Sequence, residues 1–332
     1  MNISRRTFAL VGMGAASLTG SPRLRAQTRS DHLTILVAQP AGGVTDVFAR
    51  AVAPALGRGL ARVAVVENVI GVSGAMAAKR LLAAVPDGST LFVGSPSETV
   101  LAPLTLRAVQ YKATDFRLLG LINDSPLALY ACSDLPANNL DELVALARKG
   151  RDSGDRPLSY GSTGQGSLFH LVTERLLSAT GIKAIHVPYR GGMPMLKDLQ
   201  GGSIDFTMLP VDALLGNMVA GGRMKVLGVT SAQRLARFPE AATFDESRSA
   251  PAIGRPSIWV GLLVPATLSE NISVQLHKIV TQVLGDAEVR KAIDAAGGAV
   301  PPPMSLVDAA RFYAADTVRL QALAKAAHVE SI

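Results

Sequence analysis

The stretch Leu33-Thr34-Ile35-Leu36-Val37-Ala38-Gln39-Pro40-Ala41-Gly42-Gly43-Val44-Thr45-Asp46-Val47-Phe48 decides the fold. An apolar run breaks at a pair of glycines, and apolar residues then recur at helical spacing through Val44, Val47, Phe48, Ala51, Val52, Ala55 and Leu56. This is a strand, a tight turn and a helix. Downstream, Val63–Val66 reads as a second strand. A helix over about residues 74–84 follows, closed by the turn Pro86-Asp87-Gly88, and Thr90–Val93 is a third strand. A βαβαβ order implies a parallel sheet covered by helices.

The pattern then restarts. Leu127–Cys132 is an apolar strand, and Asn139 with Glu142 three residues on forms a capping box for a helix through Arg148. Strands follow at Leu158–Tyr160, Lys183–Val187, Ile204–Leu209 and Val226–Thr230, with helices over Ser167–Ser178 and Pro194–Leu199 between them. The result is two α/β units, not one long sheet. Residues 234–256, rich in charge and proline, read as a surface excursion. The tail has one strand, Ser257–Val264, and three helices, the last from about Ser305 to Ala327. That is too little for a third core, so it is expected to pack back on the first unit. The expected architecture is therefore two lobes, residues 27–128 plus 257–332 and residues 129–256, joined by two crossings around a cleft.

Residues 1–26 read differently. Arg5-Arg6 precede an apolar run from Phe8 to about Leu18, and small residues lead to Ala26. Basic, then apolar, then small is the order of an export signal, and the paired arginines suggest the twin-arginine route, with the general export route as the alternative. The apolar run is shorter than the about 20 residues a spanning helix needs. An N-terminal membrane anchor is the alternative. Removing 26 of the 332 residues leaves 306, a length that usually splits into more than one core. The leader carries four arginines and no acids, so its loss takes the formal net charge from +7 to +3. No basic run with interleaved aromatics remains, which argues against a nucleic-acid partner. The single cysteine, Cys132, lies inside an apolar strand and reads as inert. No cofactor and no metal is expected.

Three strand ends carry the candidate chemistry. The first, Gln39 to Asp46, joins a glycine turn to a helix start, whose free N–H groups suit an anion. Asp46 falls in the first helical turn and reads as a cap that fixes the loop. The second, Tyr160-Gly161-Ser162-Thr163-Gly164-Gln165-Gly166-Ser167-Leu168-Phe169-His170, repeats the layout with hydroxyls added. It fits neither a nucleophile elbow nor a phosphate loop. His170 and Glu174 share a helix face, which is only half a metal site. The third, His186-Val187-Pro188-Tyr189-Arg190-Gly191-Gly192, again ends a strand, where ligands gather in open α/β sheets. Arg190 either pairs a carboxylate or stands in solvent or in a hinge ion pair. Trp259, the only tryptophan, reads as hinge packing. A hydrolase or transferase built on Ser162 and His170 is the competing class.

These motifs, with Glu67-Asn68, Gly71 and Gly74, Pro86-Asp87-Gly88-Ser89-Thr90-Leu91, Val229-Thr230-Ser231 and Trp259-Val260-Gly261-Leu262, resemble the substrate-binding proteins of tripartite tricarboxylate transporters, the Bug-type receptors. The resemblance spans nearly the whole mature chain. It implies a type II periplasmic-binding-protein-like α/β fold, and a monomer that captures a small carboxylate for membrane transporter subunits or a sensor kinase. It implies no catalytic residue. Ala41, Gly42, Gly43 and Asp46 from one lobe, and Ser162, Thr163, Gly164, Ser167 and His170 from the other, are expected at the ligand, with Ser95 and Tyr189 completing the set. The chain departs from the family at Val72-Ser73, where small residues are usual, at Met208-Leu209-Pro210-Val211-Asp212, and over residues 248–256.

Overall fold

A computed structural model describes residues 31–153, 156–249 and 253–326. The expected export signal lies outside the described residues. The chain runs through β1 (His32–Val37), α1 (Val44–Leu60), β2 (Val63–Asn68), α2 (Ala75–Ala83), β3 (Thr90–Gly94), α3 (Ala102–Thr105) and β4 (Phe116–Cys132). It continues through α4 (Leu140–Ser153), β5 (Ser159–Ser162), α5 (Leu168–Thr180), β6 (Ile185–Pro188), α6 (Gly192–Gln200), β7 (Phe206–Pro210), α7 (Ala213–Ala220) and β8 (Met224–Val229). It closes with β9 (Ser257–Pro265), α8 (Glu270–Gly285), α9 (Ala287–Ala295) and α10 (Leu306–Ala326).

The opening βαβαβ is parallel, as its order requires: Leu36 of β1 sits opposite Glu67 of β2 on one side and Phe92 of β3 on the other. The helical stripe of α1 buries Phe48, Val52 and Leu56 with Leu33, Ile35 and Val37. Burying one such side chain is worth about 1.5–3 kcal/mol, which makes this stripe the main anchor of α1.

The sheet path is β2-β1-β3-β9-β4-β7-β5-β6, with β8 also on β4. The two units are therefore not separate sheets, because both share β4. Its first part, Phe116 to Pro126, pairs antiparallel with β9, and its second, from Leu127 on, pairs with β7 and β8. Only the second part is legible as a strand. Asn123-Asp124-Ser125-Pro126 has the composition of a turn. The β9 partner overrides it, with register shifts at Leu118/Gly120 and Leu121/Asn123. The second crossing lies beside the first. Thr230 Oγ1 accepts from Leu127 N at 2.8 Å and donates to the Pro256 carbonyl at 2.6 Å.

In the tail, α8 and α9 pack on α1, as expected, but α10 reaches both β4 and α5 and so touches both halves. Trp259 is buried at the crossing, where its Nε1–H donates to Asp316 at 2.8 Å and Phe312 and Tyr313 meet its ring edge-on.

Candidate functional site

The carboxyl ends of β1, β2 and β3 in one half and of β5, β6 and β7 in the other carry the loops of interest. In the first loop, Asp46 is buried and accepts from Gly42 N at 2.8 Å, Asn68 Nδ2 at 2.8 Å and Arg50 Nε at 2.9 Å. Burial pushes its carboxyl up, but the bonds from Arg50, Gly42 and Asn68 outweigh that and hold it below the ordinary value. Asp46 is thus the fastener of the loop, as its position suggests. Gly42 takes φ +82°, which favours glycine.

The amides of this loop are only partly available. Gly42 N is held by Asp46, Gly43 N by the Pro40 carbonyl at 3.0 Å, and Thr45 N by Gln39 Oε1 at 3.3 Å. The Gly43 amide is thus engaged within the turn. Among the described residues, the amides of Ala41 and Val44 have no partner inside the loop.

The second loop repeats this economy. Ser162 is fully buried; its Oγ lies 2.7 Å from His186 Nε2 and donates to the Gly164 carbonyl at 3.0 Å. His170 Nδ1 accepts from Gly166 N at 3.0 Å. The Ser162–His170 pair that a hydrolase needs is therefore not formed: the helix start turns His170 toward its own loop, and a different histidine meets the serine. His170 and His186 stack with centroids 4.0 Å apart and planes 9° apart, and Tyr160 stacks on His186 at 4.9 Å. Burial first, and then the neighbouring His170, bring His186 down to about 4; burial lowers His170 as well. Both rings are neutral near pH 7. Ser167 caps α5, its Oγ accepting from His170 N at 3.3 Å. Thr163, half-buried, and Gln165, exposed, are left as the loop's polar side chains outside this bonding.

The other expected residues are also engaged. Tyr189 donates its hydroxyl to Asp198 at 2.7 Å, and burial together with that bond pushes it up to about 12. Ser95 gives both its amide and its hydroxyl to the Glu98 carboxylate, at 2.7 and 2.6 Å. Burial drives Glu98 above the ordinary range despite these bonds. Glu98 sits in a five-residue π-helical turn, Ser97–Leu101, which periodicity gives no sign of. Asp212, at the end of a stretch where the chain departs from the family, caps α7 through Leu215 N at 2.8 Å, and the chain at Gly297 presses against it. The two halves also approach at Gly166, where a Cβ would lie 2.7 Å from Thr105 Cβ. Among the described residues no group of three or more His, Cys, Asp or Glu is placed to hold a metal ion, and no helix is long and apolar enough to cross a membrane.

Residues 48–329 match the family described as tripartite tricarboxylate transporter family receptor. The chain belongs to this family. The receptor is 28% identical to Protein BugT of Bordetella pertussis over 324 residues, 96% of each chain. Its fold matches Rpa4515 of R. palustris, solved with adipate, at TM-score 0.77 and 29% identity, covering 89% of this receptor and 97% of that chain. It also matches MatC of Rhodopseudomonas palustris, solved with malate, at TM-score 0.76 and 25% identity, covering 88% and 98%. The binding-protein-like α/β fold expected from the sequence is the fold of these solved receptors.

Proposed function

We propose that this receptor is exported to the periplasm, captures a small carboxylate between the two halves of its sheet, and delivers it to membrane transporter subunits. The observation that carries this reading is the pair of strand–loop–helix junctions at β1–α1 and β5–α5, one in each half. Each loop is fastened by its own side chains and keeps a few outward amides and hydroxyls for a guest. The malate and adipate of the solved relatives support the ligand class. The lobes are residues 27–128 plus 257–332 and residues 129–256, and the exchange of β4 partners at Pro126/Leu127 supports that division.

The ligand set is drawn from the residues expected at the cleft. Ala41 and Thr163 face the ligand. Gly42, Gly43, Asp46, Ser95, Ser162, Gly164, Ser167, His170 and Tyr189 shape the loops from behind. The receptor acts as a monomer and not as an enzyme; the Ser162–His170 pair that a hydrolase would need is not formed, and Ser162 is fully buried against the half-buried His186. A charged hydrogen bond is worth roughly 1.5–3 kcal/mol, so a few such contacts suffice for micromolar capture.

A thermal-shift screen of mono-, di- and tricarboxylates tests the reading, since a ligand at 100 times its Kd adds about 2.7 kcal/mol. A shift with any one class supports it; no shift with all three refutes it. N-terminal sequencing of the protein from its host tests export. A chain beginning near Gln27 is expected, and an intact Met1 on cytoplasmic protein would refute it.

A further inference from the structure

Four consecutive residues after β2, Gly71, Val72, Ser73 and Gly74, have φ of 134°, 50°, 51° and 84°. Glycine takes such angles freely. Val72 is β-branched, and left-handed valine is a steric outlier. Strain of this kind persists only where the surroundings over-determine it, and it gathers at ligand sites.

Here the surroundings do so. Gly74 N donates to the Gly71 carbonyl at 3.0 Å. A Cβ on Gly74 would lie 2.2 Å from Glu98 Cγ and 3.0 Å from Ala38 Cβ. Just before the run, Asn68 Nδ2 donates to the Gln39 carbonyl at 2.8 Å as well as to Asp46. The run therefore lies over the ends of β1 and β3, beside the first loop. It also touches α3, whose Thr105 faces Gly166 of the second loop.

The core does not hold Val72, which is 50% exposed. Val44 and Val47 at the start of α1, Ile70 after β2 and Met76 at the start of α2 are exposed too. No lysine or arginine occurs in residues 39–46, 68–76 or 94–105. The acids of these segments, Asp46 and Glu98, are buried. In the three loops read as candidates from the sequence, Arg190 is the only basic residue, and it stands exposed on the opposite half.

We infer that Val72 is a specificity-determining residue of the cleft, and that the ligand is an amphipathic carboxylate with one carboxylate and an apolar body lying along Val44, Val47 and Val72. The inference rests on the receptor reading above. An apolar body gains by covering this wall. A second carboxylate turned toward it would lose water, and the cation beside the first loop, Arg50, is already engaged by Asp46 and Asn68, so the exchange is unfavourable. A receptor with this wall discriminates against dicarboxylates by what it lacks as much as by what it offers.

The test is calorimetry on the full mature chain with hexanoate, benzoate, adipate and malate as probes, on the parent and on Val72→Gly. Glycine suits the left-handed angle, so the variant should melt no lower than the parent without ligand. The expected result is tighter binding of hexanoate or benzoate than of adipate or malate, with a loss of about tenfold for the monocarboxylates in Val72→Gly. If adipate or malate binds more tightly than both monocarboxylates, the ligand class is wrong and the receptor reading stands. A monocarboxylate affinity within about twofold of the parent in Val72→Gly, far below the expected loss, removes Val72 from the site. If none of the four probes binds, this inference fails, and the wider carboxylate screen then decides whether the receptor reading fails with it.

Discussion

Replacing Asp46 by alanine separates a fastener from a ligand contact. Asp46 is 1% exposed and accepts three hydrogen bonds, but its partners differ. The Arg50 side chain is 52% exposed, so that ion pair is screened and adds only about 0.3–0.5 kcal/mol. Bonds to a charged acceptor are worth about 1.5–3 kcal/mol each. After the substitution, however, Gly42 N is exposed and Asn68 half-buried, so water recovers part of each, leaving about 1 kcal/mol apiece. The expected loss is about 2–3 kcal/mol, a fall in melting temperature of roughly 4–10 °C for a chain of this size. The carboxyl is held below its ordinary value of 3.8, so this stabilisation is complete above that pH and disappears as the pH falls further. The gap between parent and variant should therefore close in acid. Urea unfolding followed by circular dichroism, run beside calorimetry with a ligand from the screen, reads both properties. Lost affinity at an unchanged melting temperature would refute the fastener role and make Asp46 a ligand contact.

Gly43→Val should abolish binding in calorimetry while the circular dichroism spectrum is kept. A Cβ there stands 2.9 Å from Gln39 Oε1 and 3.1 Å from the Pro40 carbonyl, so the turn must move; full affinity would show that the turn is not at the site. Ser167→Ala removes the α5 cap and should lower stability by about 1 kcal/mol, with weaker binding, and equal stability in urea would refute the capping role. His186 is ordinarily 6.5 and is held at about 4, so the unfolded chain takes up a proton that the folded one refuses. Stability should be complete above pH 6.5 and fall as pH drops toward 4. His186→Phe should flatten that part of the melting profile, and an unaltered slope would place the titration elsewhere.

The parallel opening of the sheet was legible because three cues agreed: apolar period, the Gly42-Gly43 turn, and the Pro86-Asp87-Gly88 turn. The first part of β4 was not, because Asn123 to Pro126 carries local turn composition while its partner β9 lies more than a hundred residues away in the chain. The roles of the site residues were legible only in part. Asp46 announced itself as a cap through its place in the first helical turn. Ser162 did not announce His186, because side chains on adjacent parallel strands are brought together by register, which opposes Gly161 to Val187 and Tyr160 to His186. Glu98 lacked any signal, since a π-helical turn has no apolar period of its own.

The bonding within the loops bears on where specificity resides. Most of the glycine and hydroxyl groups that look like an anion cradle are used in holding each other: Gly42 on Asp46, Gly43 on Pro40, Ser162 on His186, Ser167 on His170, Ser95 on Glu98. A loop bound in this way is already shaped before a ligand arrives, so little ordering is lost on capture. The same economy leaves few polar groups of these loops unpartnered, and on the proposed reading these few would recognise a carboxylate without telling one carboxylate from another. Discrimination then falls to the side chains that surround the strand ends and are free of the loop bonding. At the strand ends of the first half these include the apolar Val44 and Val72, and Val72 is held at a backbone angle that valine does not choose by itself.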